Sequence, residues 1–112
     1  MISLKSSDLE NELFKVKRIS FQEIRADEAD IFEAVILKDT LSVLTENLEC
    51  VFGKAVCPGN VLSVEVEKKI EPYGGIRGNQ VLYFSKRPDF YLFAMLWPWQ
   101  DGAHITLKVF CA

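Results

Sequence analysis

With 112 residues, 49% of them apolar and 26% charged, the chain can build one real core, and its composition excludes disorder. The net charge of −3 conceals a bias: residues 20–50 carry eight acids (Glu23, Asp27, Glu28, Asp30, Glu33, Asp39, Glu46, Glu49) against two bases, Arg25 and Lys38. That sign argues against nucleic acid as a partner and suits a basic protein.

The N-terminus, MISLKSSDLENELFK, has neither the basic start nor the long apolar stretch of a signal peptide, and no run approaches membrane-spanning length. A cytoplasmic protein that does not enter a membrane is the expectation. Cys50, Cys57 and Cys111 are an odd number without metal-type spacing, and in a reducing compartment they read as small apolar residues. No repeat or linker interrupts the chain, so residues 1–112 read as a single domain.

In chain order, Ser7-Asp8-Leu9-Glu10 has the pattern of a capping box and predicts a short helix over 8–15. Residues 19–24 alternate as a strand, and 25–30 read as a polar turn or helix start. The segment 31–37 (IFEAVIL) fits strand by its β-branched content and helix by its spacing. From Leu37 the apolar positions Leu41, Leu44, Leu48, Val51 and Phe52 recur at helical intervals. They predict the principal helix over 40–52, capped by Asp39 or Thr40 and stopped by Gly53.

Beyond a turn at Cys57-Pro58-Gly59-Asn60, Leu62, Val64, Val66 and Ile70 alternate with polar residues and predict a strand. Further strands follow at 80–85, 90–97 and 104–111. The run from Phe90 to Trp97 has two apolar faces and needs cover on both, from the monomer or from a second copy. These elements predict an α+β fold, an antiparallel sheet of about four to six strands with a C-terminal meander, packed on one principal helix.

Groups for chemistry are scarce. The single histidine, His104, shares a strand face with Thr106 and Lys108, while Cys111 falls on the opposite set, so they make a poor nucleophile pair. One histidine and scattered cysteines build no zinc site, so neither a metal nor any other cofactor is expected. Tyr73-Gly74-Gly75-Ile76-Arg77-Gly78-Asn79 could cradle a phosphate, but glycine for positive φ in a connecting loop explains it more simply. Nine of the thirteen aromatics lie between Tyr73 and Phe110, and most must be core. Trp97 and Trp99 flank Pro98 at a hairpin tip, where they either anchor an interface or fold back to plug the sheet.

Pro98-Trp99-Gln100 with Gly102, followed by Ile105-Thr106-Leu107, resembles the second-hairpin Pro-Trp motif of the cystatins and, more loosely, that of the chagasin-type inhibitors. Both families insert such a hairpin into cysteine proteases. The order of helix, strand, loop, strand, strand, Pro-Trp hairpin, strand is similar as well. The first-hairpin cystatin pattern, Gln-x-Val-x-Gly, is absent, so protease inhibition does not follow.

The expected function is therefore a small non-enzymatic protein that binds and blocks or regulates a protein partner, as an inhibitor or toxin-immunity protein does. Its expected contact residues are Trp97 and Trp99 with the acids Asp27, Glu28, Asp30 and Glu33. Two alternatives stand beside it: a hot-dog-like binder of a small molecule or acyl chain, using Glu46 or Glu49 as a base, and a homodimeric structural module.

Overall fold

The computed structural model describes residues 3–57, 59 and 61–112. Helix α1 (Ser7–Lys17) precedes a hairpin of β1 (Glu23–Asp27) and β2 (Ile31–Leu37). A 3-10 turn at Lys38–Thr40 leads into α2 (Leu41–Phe52), followed by α3 (Val64–Ile70) and a second 3-10 turn at Glu71–Tyr73. Strands β3 (Val81–Lys86), β4 (Tyr91–Pro98) and β5 (His104–Cys111) complete the chain. The fold is α+β, one antiparallel sheet in the order β1-β2-β5-β4-β3 with helices packed on it.

The principal helix forms where the periodicity places it. Leu44 and Leu48 are fully buried, and Gly53, at φ 77°, donates its N–H to the Glu49 carbonyl and stops the helix. Thr40 is the N-cap, but the preceding 3-10 turn holds it in helical geometry and its side chain makes no capping bond. In α1 the N-cap is Ser6, not Ser7, and the expected capping box does not form. Segment 31–37 resolves as strand, because both of its edges are taken up by β1 and β5.

Residues 62–70 overturn the strand reading. Ser63 caps α3, its Oγ accepting the Val66 N–H at 3.2 Å, and Glu65 and Glu67 in the first turn with Lys68 and Lys69 in the last complement the helix dipole. Val66 and Ile70, four apart, are buried, whereas Val64 is 66% exposed. Period four, not period two, sorts the apolar residues here. The C-terminal meander accordingly has three strands, and the glycine loop follows a helix end instead of joining two strands. Strand β1 also starts later than expected and runs through Arg25–Asp27, which the sequence pattern assigns to a turn. Of the turn expected at 57–60, Pro58 and Asn60 lie outside the described residues.

One sheet face is roofed by α1 and α2. Leu9, Leu13, Val16, Leu44 and Leu48 close over Phe32, Ala34, Ile36, Leu92, Ala94, Leu96, Leu107 and Val109. On the other face, α3 and Tyr73 cover Leu82, Tyr91, Phe93, Met95 and Phe110. Strand β4 is thus buried from Tyr91 to Leu96 within the monomer, which meets the need of its two apolar faces for cover.

Candidate functional site

The roof of α3 spans β3, β4 and one end of β5. Beyond it, the same face continues over the rest of β5, β2 and β1. The strand register sets the residues there in rungs. One rung holds Glu23, Val35, Thr106 and Trp97, the next holds Ala26, Glu33, Lys108 and Met95, and Leu37 pairs with His104 at the tip. Val35 and Thr106 are buried yet belong to neither core. Side chains of the sheet itself pave this half-face.

Trp99 is the centre of the paving. Its Nε1 donates to Thr106 Oγ1 at 2.8 Å, its ring stacks on His104 at 4.8 Å, and the Arg25 guanidinium lies 5.4 Å above it. Arg25 reaches the ring because the β1 ladder shifts register between Ile24 and Ala26, and Glu23 holds its Nε at 3.0 Å. The hairpin below is fixed by Asp101. Its Oδ1 accepts the Ala103 and His104 N–H groups, and its Oδ2 lies 2.6 Å from His104 Nδ1. The Ala103 N–H bond, then the histidine contact, hold the Asp101 carboxyl below its ordinary value. Leu37, 40% exposed, adds an apolar contact beside the stack.

Trp97 has a different setting. A Cβ at Gly74 would lie 2.4 Å from its Cη2, so glycine with φ 105° is what lets the loop close on the indole. Lys108 Nζ stands 3.8 Å from the ring centroid, 3.7 Å from Glu33 Oε1, and donates to the Tyr73 carbonyl at 3.4 Å. Trp97 Nε1 is buried and, among the described residues, has no hydrogen-bond partner. Of the two tryptophans, Trp97 is folded into the chain, while Trp99 paves the surface.

The acids divide as well. Glu33 joins Trp97 through Lys108, whereas Asp27, Glu28 and Asp30 lie at the β1–β2 turn, six residues along β2 from Leu37, about 20 Å at strand rise. Asp27 is engaged by Lys17 at 3.5 Å and Lys5 at 3.9 Å. Glu28 and Asp30 are exposed and make no ion pair among the described residues. A standard interface of about 800 Å² per partner is roughly 30 Å across, so it can span both clusters. Sequence reasoning missed Arg25 and Leu37. The bulge that aims Arg25 has no sequence signature, and Leu37 read as the start of a buried helical stripe.

The remaining surface offers little for chemistry. Glu46 and Glu49 are exposed on α2, away from the buried Leu44 and Leu48, and so do not face a helix–sheet cleft. Cys111 packs against the core under α1 and α2, and burial pushes its thiol up to about 11. That places it on the face opposite His104. The glycine loop borders an open hollow of about 450 Å³ lined by Glu67 and Glu71 as well as Arg77. Two carboxylates and a preceding helix C-terminus disfavour a phosphate there. Among the described residues, no group of three His, Cys, Asp or Glu side chains could hold a metal ion, and no helix is long and apolar enough to cross a membrane.

Comparison with protein-family models, curated proteins and solved structures finds no match. The cystatin resemblance therefore rests on Pro98–Leu107 alone, and the element order that accompanied it does not hold, since 62–70 is helix.

Proposed function

We propose that the chain is a cytoplasmic protein-binding module that blocks or regulates a basic protein partner, as an inhibitor or toxin-immunity protein does, without chemistry of its own. The observation that carries this reading is the bonded and stacked setting of Trp99, with Arg25, His104 and Leu37 beside it on a sheet half-face that no helix among the described residues covers. Tryptophan and arginine are the residues that anchor protein interfaces, and an anchor fixed before encounter loses less entropy on binding. Here the hydrogen bond and the two ring contacts supply that fixation.

The charges at the β1–β2 turn supply attraction at a distance. Glu28 and Asp30 are exposed and, among the described residues, in no ion pair, so a basic partner feels them before contact. Leu44 and Leu48 of α2 pack on the sheet and both faces of β4 are covered, which supports this reading over an acyl binder or a dimer through β4.

The test is kinetic. A partner captured from the native host should associate more slowly as salt rises, because screening shortens the reach of the turn acids. Reversal of Glu28 and Asp30 to lysine should slow association without loss of fold. Association indifferent to both salt and reversal would remove the acidic turn from the interface.

A further inference from the structure

The two edges of the sheet are unequal. At β3, the chain at Val56 and Cys57 lies alongside, with Val56 N–H bonded to the Leu82 carbonyl at 2.9 Å and Leu82 N–H to the Cys57 carbonyl at 3.2 Å. At β1, among the described residues, no backbone hydrogen bond reaches Glu23–Asp27 from outside the β1–β2 ladder.

The direction of the free groups follows from the ladder. The Val35 carbonyl accepts the Gln22 N–H at 2.8 Å, so Val35 turns its backbone groups toward β1. Its neighbour Ala34 turns toward β5, and Ile24, which pairs with Ala34, therefore points its own N–H and carbonyl out from the sheet. By the same alternation, the Glu28 N–H bond to the Ile31 carbonyl leaves Asp27 pointing outward. These two outward positions are three residues apart, where a regular strand has them two apart. The extra residue is Arg25, between the Ile24–Ala34 and Ala26–Glu33 pairs. A second kink lies on the other side of Ile24, where Gln22 and Glu23 both meet Val35.

This spacing selects the occupant. A regular foreign strand aligned at Ile24 falls out of step at Asp27. A second copy, antiparallel about a dyad at Ile24, stays in step, because each Gln22–Glu23 kink then faces the other copy's Arg25–Ala26 kink. The side chains agree with that register. Glu23 shares its sheet face with Val35, and Arg25 reaches Trp99 on the same face, so the dyad sets each Glu23 beside the other copy's Arg25. Within one chain the two are held 3.0 Å apart at the edge, and two such pairs close into a ring of alternating charge. Ile24, on the opposite face and 56% exposed, meets its own twin.

We infer that two copies of this chain join β1 to β1 about a dyad at Ile24, doubling the five-stranded sheet. The contact is short and falls below the standard interface of about 800 Å² per partner, so the pairing is weak and depends on concentration. The dyad runs perpendicular to the sheet, which sets both Trp99 half-faces on the same side of the doubled sheet. The inference is independent of what docks there.

Sedimentation equilibrium and amide exchange of the isotope-labelled full chain are followed from about 10 µM to about 1 mM, the range in which so small an interface associates. The average mass should climb toward the dimer, with the Ile24 amide protected in step. Glu23→Arg and Arg25→Glu each set like charges across the dyad and should weaken self-association at least about tenfold, with circular dichroism as the check on folding. Mixed in equal amounts, the two variants should recover it, since each offers the charges that the other lacks. Neither variant keeps an intrachain ion pair at these positions, and both stay net negative from a starting charge of −3, so recovery reports contact across the dyad.

A mass that stays monomeric over the whole range, a mixture no tighter than its parts, or association that leaves the Ile24 amide exchangeable overturns the inference. Failure of the surface reading is a separate result. A dimer that forms as stated, with partner binding indifferent to Trp99→Ala, removes the surface and leaves the dyad.

Discussion

The two faces of the sheet are built from the same five strands and end differently. Under α1 and α2 the contact is mostly aliphatic, with two ring pairs, Phe21 on Phe32 and Phe52 on Tyr83, and the cover runs from β2 to β3. On the opposite face, aromatic rings dominate, with Phe93 stacked on Phe110 at 5.2 Å and Tyr73 on Phe110 at 3.7 Å. The cover there reaches β2 only at Ile31 and stops short of β1. A seven-residue helix cannot roof five strands, since it is only about 10 Å long. The strands that it leaves bare are finished with Trp99, Arg25 and paired charges. The first face is concerned with stability, and the bare half of the second is where recognition can reside.

Truncations on the two covered faces should show the largest effects. Phe93→Ala empties a fully buried site under α3 and should cost about 3–5 kcal/mol, and Leu44→Ala under α2 about 2–5 kcal/mol. Denaturant unfolding checks both. A loss below about 0.5 kcal/mol at either site, the scale of a surface change, would break the picture of two cores.

Gly74→Ala comes next, at about 1–3 kcal/mol, because the new methyl meets the Trp97 ring at a φ of 105°. Gly53 has open space where a Cβ would project and a φ of 77°, so Gly53→Ala should lose only the backbone term, about 1 kcal/mol. Equal losses at the two glycines would show that the loop does not clamp Trp97.

The cysteines sharpen the contrast at lower cost. Cys50 is exposed, whereas burial raises the thiols of Cys57 and Cys111, so iodoacetamide near neutral pH should modify Cys50 first in the folded chain, as mass spectrometry would show. The sign of the linkage follows from the same burial. The folded Cys111 thiol holds its proton to about 11, above its unfolded value, so its contribution is present at neutral pH and is lost as pH rises toward that point. Early modification of Cys111 would mean that its end of β5 opens readily.

Much of the covered architecture was legible in the sequence. Leu41, Leu44 and Leu48 announce α2 by spacing, and the unbroken run from Phe90 to Trp97 announces a strand buried on both faces. Short or exposed elements were not legible. Seven residues of α3 read equally well at period two, and only Ser63 with the charges of Glu65, Glu67, Lys68 and Lys69 marks a helix. Strand β1 buries too little to leave an apolar pattern, so its polar half passed for a turn. Within the candidate site, Trp99 and the acids could be singled out from residue type. Their grouping could not, because it depends on strand register, which joins Glu33 to Lys108 and leaves Glu28 and Asp30 a sheet length away.

Docking of a protein partner on the half-face around Trp99 is tested most directly by one comparison of dissociation rates. Wild type and Trp99→Ala are measured against a partner captured from the native host, with matched circular dichroism as the check on folding. Trp99→Ala should dissociate at least about thirtyfold faster, since loss of a hot-spot tryptophan costs about 2 kcal/mol or more, while association changes little. An unchanged dissociation rate with the fold intact would contradict it.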